Sequence, residues 1–349
     1  MKSLYALLFL ALLSAKCNQQ EAEVVVDHPP HESFGTEKPM EGLTFVAPPN
    51  PFPQNPMPPI QEVGADWIAL VPYAFTRQNN PQVFYGSDRQ WWGERVVGIE
   101  ESIRLAREAG IKVMLKPQVY IPGSWTGDMD YAQASDWESW EKGYDMYILL
   151  MAELAEKYQV ELFCVGTEFK IGAKKRESYW RNLIREIRDI YSGKLVYAAN
   201  WDAYPDIPFW DALDYVGINA YFPLVDQKTP TVKSIKSAWR SIYQQIEDFQ
   251  QRVDRPIIFT EYGYLSVDGC TYNTWELESK VRSLPINEQA QANAYQALFE
   301  TFWEADWWQG GFLWKWFPNM QGGEGYDASD YTPQGKMGAE TLQKWYFTE

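Results

Sequence analysis

From residue 42 onward, short apolar runs alternate with longer stretches in which apolar residues recur every three or four positions. Short runs bounded by Gly, Pro or polar residues predict strands buried on both faces, and the recurrent stretches predict amphipathic helices. In this order they make parallel βα units. The predicted strands are 42–46, 67–71, 112–117, 163–167, 194–199, 215–219, 257–260 and 311–315. The main predicted helices are 97–109, 140–158, 179–191, 231–250 and 287–305. Gly110 and Gly193 stand just past helix ends, and Asn287 followed by Glu288 opens the last of these helices. Eight strands with no break in composition favour one (β/α)8 TIM barrel over residues 42–349 rather than an open doubly wound sheet. Neither GxGxxG nor a Walker sequence occurs, which argues against nucleotide binding. In such a barrel the chemistry belongs at the carboxyl ends of the strands.

Ahead of the barrel the pattern changes. Lys2 precedes an apolar run over residues 4–13, which fits a secretory leader and is too short to span a membrane. Residues 13–17, Leu-Ser-Ala-Lys-Cys, resemble a bacterial lipoprotein cleavage site, with Cys17 as the lipidated first residue. Lys16 stands where a small residue is usual, and ordinary cleavage near Ala15 would leave Cys17 an incidental thiol. Residues 1–17 are therefore expected to be a lipoprotein-type signal and 18–41 a polar, flexible linker. The expected location is the bacterial cell envelope, periplasmic or at the cell surface, with membrane contact only through an anchor at Cys17. The prolines of 48–59 fit an ordered loop after the first strand. Cys164, in a strand, and Cys270, in a loop, are expected to form no disulfide.

Composition narrows the chemistry. A net charge of -16 argues against nucleic acid and against an anionic membrane surface as the ligand, and favours an uncharged one. The chain carries 17 Trp, 22 Tyr and 17 Phe. Flat rings with a polar edge suit the C–H faces and rimming hydroxyls of sugars, although the same residues would also build an indole-rich core. The two histidines, His28 and His31, both precede the barrel. Ser-His-Asp and Cys-His catalysis and imidazole metal sites are thereby excluded from the body, leaving carboxylates, Lys, Tyr and Cys. No cofactor and no metal is expected.

Two predicted strand ends carry glutamates: Cys164-Val165-Gly166-Thr167-Glu168 and Ile258-Phe259-Thr260-Glu261-Tyr262-Gly263. Both follow apolar runs, so both carboxylates emerge at one rim. Glycoside hydrolysis needs such a pair, one acid to protonate the leaving oxygen and one carboxylate opposite. With these glutamates, the chain resembles the clan A glycoside hydrolases and, more narrowly, family 113, the β-mannanases. The likeness rests on Val113-Met114-Leu115-Lys116-Pro117, Gly166-Thr167-Glu168 and the segment Tyr215-Val216-Gly217-Ile218-Asn219-Ala220-Tyr221-Phe222-Pro223. Thr260-Glu261-Tyr262-Gly263 and Trp314-Lys315-Trp316 complete it. It implies retaining hydrolysis of β-1,4-linked, mannan-type polysaccharide or oligosaccharide. Glu168 would be acid/base and Glu261 nucleophile; Tyr221 would hold the nucleophile ionised, and Trp314 or Trp316 would floor the site, with Asn219 among the substrate-binding residues.

This sequence departs from the pattern in two places. Thr167 stands where many clan A enzymes place Asn; Asn200 could replace it toward a sugar hydroxyl, or could cap its own loop. Gln118 follows Lys116-Pro117 where mannanase-like sequences place histidine, so another β-glycan remains open as substrate. Lys116 would donate either to a sugar or to a neighbouring carboxylate. Trp201, one step past a strand end, is a substrate-binding candidate; Trp91, Trp92 and Trp125 would stack on outer sugars or pack their loops. Tyr262 and Tyr264 flank the nucleophile, and one of them is expected in the barrel wall. The loop 321–327 fits no calcium-binding spacing. Two other readings stand beside the mannanase: a clan A β-glycosidase on another chain, and a non-catalytic carbohydrate-binding lipoprotein. A monomer is expected.

Overall fold

The computed structural model describes residues 38–318 and 328–348. The expectations for the leader, Cys17, the histidines, most of the linker and the loop 321–327 lie outside the described residues. The strands, in chain order, are β1 (Met40–Phe45), β2 (Trp67–Leu70), β3 (Tyr73–Arg77), β4 (Asn80–Phe84), β5 (Lys112–Leu115) and β6 (Gln118–Tyr120). They continue with β7 (Leu162–Thr167), β8 (Lys194–Asn200), β9 (Tyr215–Asn219), β10 (Ile257–Tyr262) and β11 (Trp308–Trp316). The helices are α1 (Pro58–Glu62), α2 (Val96–Glu108), α3 (Ala134–Lys157), α4 (Lys170–Lys175), α5 (Glu177–Ile190), α6 (Val232–Val253), α7 (Thr274–Glu278), α8 (Glu288–Phe302) and α9 (Met337–Tyr346).

Among the described residues, eight strands close into a barrel in the order β1-β2-β5-β7-β8-β9-β10-β11, with β11 pairing back onto β1. Every pair is parallel, so every strand points the same way and all carboxyl ends share one rim. Each predicted strand and helix is present, with bounds shifted by a few residues; β11 begins earlier than expected, and α3 starts at Ala134 rather than near Trp140. Gly110 adopts φ +71° just past α2, where a side chain would be strained, and Asn287 caps α8 by accepting from the Ala290 N–H at 3.0 Å.

Side-chain alternation sorts the core into two layers. One set fills the barrel: Trp67, Ala69, Met114, Leu162, Cys164, Val196, Ala198, Ile258 and Phe312. The other set packs the outer strand faces against the helices, and here the aromatic content is spent. Trp140 stacks on Tyr144 at 4.9 Å, and Phe169, Trp180, Tyr197 and Phe209 continue the cluster beneath the end of β7. Trp140, Trp180 and Trp239 are wholly buried. Much of the indole content is therefore core, which corrects the compositional weighting toward sugar-binding surfaces. Cys164 and Cys270 are buried free thiols.

The small sheet β4-β3-β6, set on the loops after β2 and β5, was not predicted. Its strands are too short and mixed to show as apolar runs: β4 contains Pro81, and the turn before it needs φ +63° at Asn79. Ala74, Thr76 and Val119 form its buried back, and β4 packs on α3.

Candidate active site

Glu168 is the residue after β7, and the chain must there leave the barrel and enter α4. The turn is made at Glu168 itself, with φ +58°, while its N–H still bonds Ala198 O at 2.8 Å. This left-handed conformation costs about 1–3 kcal/mol for a residue with a Cβ. It lets Phe169 drop into the aromatic cluster while the Glu168 carboxyl faces the cleft. Both carboxyl oxygens are held by neutral N–H donors. Trp125 Nε1 donates to Oε2 at 2.6 Å, and Asn219 Nδ2 donates to Oε1 at 2.9 Å. Thr260 Oγ1 donates to Asn219 Oδ1 at 2.9 Å and so fixes the amide's orientation. The Trp125 indole lies over Gly127, where a Cβ would come within 2.3 Å of the ring. Burial pushes the Glu168 carboxyl above the usual glutamate range and the nearby Glu261 charge adds to the rise, whereas the Trp125 and Asn219 donors and Lys116 oppose it.

Glu261 lies within β10 and keeps strand geometry. Its donors differ in kind. The buried Lys116 ammonium, one residue past β5, pairs with Oε1. Gln118 Nε2 donates to the same oxygen at 2.9 Å, and Tyr221 OH donates to Oε2 at 2.9 Å. Burial first, and then the charge of Glu261, hold the Tyr221 phenol well above its usual range, so it stays a donor. Of the alternatives weighed for Lys116, the structure shows the carboxylate partner. Gln118, standing in the expected histidine position, contributes a direct contact to Glu261.

The cavity above the pair measures about 560 Å³ and is walled by Trp125, Trp201, Trp275 and Trp314, with Tyr221, Tyr331, Asn200, Asp202 and Glu278 adding polar groups. Asn200 lines it, but its Nδ2 bonds Asp202 at 2.9 Å, the loop-capping arrangement. Of the two indoles proposed as floor, Trp314 lines the cavity. Trp316, at 3% exposure, belongs to the core. Trp92 packs against Phe52 at 5.1 Å, and Trp91 projects from the surface outside the cavity. Tyr262 and Tyr264 are both buried wall residues, Tyr262 bonding Tyr346 at 2.7 Å. Sequence reasoning did not single out Trp275, Glu278, Asp202 or Tyr331. Asp202 and Tyr331 sit in loops and Trp275 and Glu278 in the short helix α7, none with a periodicity that marks it, and their only sequence signal is position after a barrel strand. Among the described residues no cluster of His, Cys, Asp and Glu would hold a metal ion.

Two carboxyl groups in contrasting settings at one barrel rim, under an indole-walled cleft, are the apparatus for cleaving a glycosidic bond. The model of glycoside hydrolase family 113 matches residues 51–336. The chain belongs to glycoside hydrolase family 113. Similar solved structures include the family 113 β-mannanase AaManA from Alicyclobacillus acidocaldarius in complex with ManMIm, at 24% identity and TM-score 0.77, covering 90% of this chain and 99% of that one. A family 113 β-1,4-mannanase in complex form matches at 26% identity and TM-score 0.75, covering 90% and 100%. A Faecalibacterium prausnitzii β-glucuronidase shares the fold at 15% identity and TM-score 0.62, over 90% of this chain and 50% of that one. No curated protein sequence matches the chain. As a family 113 member the protein is a glycoside hydrolase with a polysaccharide or oligosaccharide substrate.

Proposed function

We propose that this family 113 enzyme is an endo-acting β-1,4-mannanase in which Glu168 is the acid/base and Glu261 the nucleophile. The observation that carries the assignment is the asymmetry of the pair. Glu261 has a buried ammonium against it, which stabilises the anion needed for attack. Glu168 has only neutral donors, and burial favours its protonated form. Glu261 attacks the anomeric carbon as Glu168 gives its proton to the departing glycosidic oxygen, leaving a glycosyl-enzyme. Glu168, now ionised, takes a proton from water, which attacks the same carbon and releases Glu261. The configuration at that carbon is retained. Trp314 offers a face for the reacting sugar, while Trp201 and Asn200 line the cleft beside it. Tyr221 holds the nucleophile through its hydroxyl.

Mannan as the substrate is supported by the two mannanases among the similar structures. The test compares product release from β-1,4-mannan, cellulose and xylan, with the first-formed anomer read by proton NMR. Release of β-configured manno-oligosaccharides from mannan is expected. Activity confined to cellulose or xylan overturns the substrate, and α-configured products overturn the mechanism. We extend the proposal to location: residues 1–17 direct export and Cys17 carries a lipid anchor, which places the monomeric enzyme at the cell envelope. Failure of Cys17→Ser to release the protein from membranes overturns that extension.

A further inference from the structure

The sheet of β3, β4 and β6 has two unlike faces. Its back is buried, but its front carries three rings in one row. Phe75 is the register partner of Phe84 on β4 and of Tyr120 on β6, and residues directly opposite on neighbouring strands share a face. Phe84 and Tyr120 are each 50% exposed, and Phe75 meets Tyr120 edge-on at 6.1 Å between ring centres. Two residues nearer the barrel on the same strands stand Tyr73 and Gln118, themselves register partners. Gln118 hydrogen-bonds Glu261. At about 3.3 Å per residue, the row lies about 7 Å farther along the strands than a residue touching the catalytic carboxylate.

We propose that Phe84, Phe75 and Tyr120 form a distal platform that holds the polysaccharide chain where it runs out of the cleft, a subsite for uncharged β-linked sugar rings. This rests on the glycosidase reading of the site. Continuity supplies the first argument, since one short sheet carries both a catalytic-centre contact and the aromatic row. Shape supplies the second, because an open row of rings suits successive sugar units better than it suits a single small ligand, for which enclosure is usual. Charge supplies the third: a chain of net charge -16 repels a second copy of itself but not a neutral glycan. Three rings also fall short of the roughly 800 Å² per partner of a stable protein interface.

The test uses the full-length enzyme and the variants Phe84→Ser, Tyr120→Ser and their double, none of which touches the catalytic pair. Two readouts are needed: kcat/KM on mannotriose, mannohexaose and mannan, and retardation of the protein in gels containing soluble glucomannan. Each lost ring is expected to lower kcat/KM on hexaose and polymer about threefold to tenfold, leave the triose rate unchanged, and weaken retardation. Unchanged length dependence together with unchanged retardation overturns the platform, as does a wild type that the gel does not retard. So does a change of oligomeric state by light scattering while retardation stays the same, which points to a second copy. Wild type inert on every β-glycan yet retarded by the gel, with retardation lost in the double variant, overturns the proposed function and leaves the platform standing.

Discussion

Glu168 and Glu261 stand at one rim of one barrel, yet the chain treats them as different chemical objects. Glu261 sits in regular strand geometry with a cation, an amide and a phenol against it. Glu168 sits at a left-handed turn, with an indole and an amide as its donors. A carboxylate proposed to act as an anion needs a countercharge, and Lys116 is wholly buried beside Glu261. A carboxyl proposed to gain and lose a proton needs neutral donors that orient it, and here their pull toward the ionised form is opposed by burial. The proposed division of labour between identical side chains is thus set by what the neighbouring strands and loops deliver, not by the glutamates themselves.

Removing either carboxyl gives the largest effects and separates the two roles. Glu261→Ala is expected to abolish hydrolysis on every substrate, by at least about 10⁴-fold in kcat. Glu168→Ala should cost about 10²–10⁴-fold on mannan but little in the first step on a dinitrophenyl mannoside, whose leaving group needs no proton. A glycosyl-enzyme should then accumulate, visible as a mass adduct; equal losses on both substrates would break the assignment. Lys116→Met tests the countercharge. Stripping one partner from a buried pair costs about 3–5 kcal/mol, so urea denaturation should show a loss of that order. A loss under about 1 kcal/mol, typical of an exposed pair, would show that the site is wetter than its burial indicates.

Trp125→Phe keeps an aromatic ring, though a smaller one, and removes the N–H. That donor favours the ionised form of Glu168, so its loss raises the carboxyl's proton affinity further. Protonated Glu168 then persists to higher pH, and the basic limb of kcat/KM on mannan should move upward, as should the acid limb of deglycosylation on the dinitrophenyl substrate. An unmoved limb in an active variant would mean that Trp125 acts only as a wall. Glu41, at the opposite end of the barrel, is a buried glutamate with no catalytic task. Burial pushes it up to about 8, against the pull of Lys38 at 2.5 Å. A raised carboxyl binds its proton better in the folded state, so the stability it lends is present below about pH 4.5 and is lost as pH rises through about 8. Glu41→Gln should lack that decline, and the two Tm curves should diverge as pH climbs from 5 to 9.

The barrel was legible because eight apolar runs at parallel-sheet spacing leave few other ways to bury them. Glu168 and Glu261 were legible because each closes such a run. Tyr221 and Asn219 came through the family likeness, although the contact Asn219 makes, to Glu168, is a relation across two strands that no local pattern encodes. Trp125 was ambiguous because an indole in a loop reads alike whether it packs or binds, and only the short distance to Glu168 distinguishes them. Trp316 was misplaced because a two-residue step along a strand predicts one face for both indoles, whereas Trp314 lines the cavity and Trp316 is buried in the core. The β3–β4–β6 sheet escaped because its stability comes from α3 behind it rather than from its own composition.

The backbone of Glu168 bears on how this gene can change. Glycine would occupy that left-handed turn without strain, so a change made for stability alone would replace the glutamate there. The acidic residue stands in a conformation that suits it poorly, so at this one position stability and the proposed turnover pull in opposite directions.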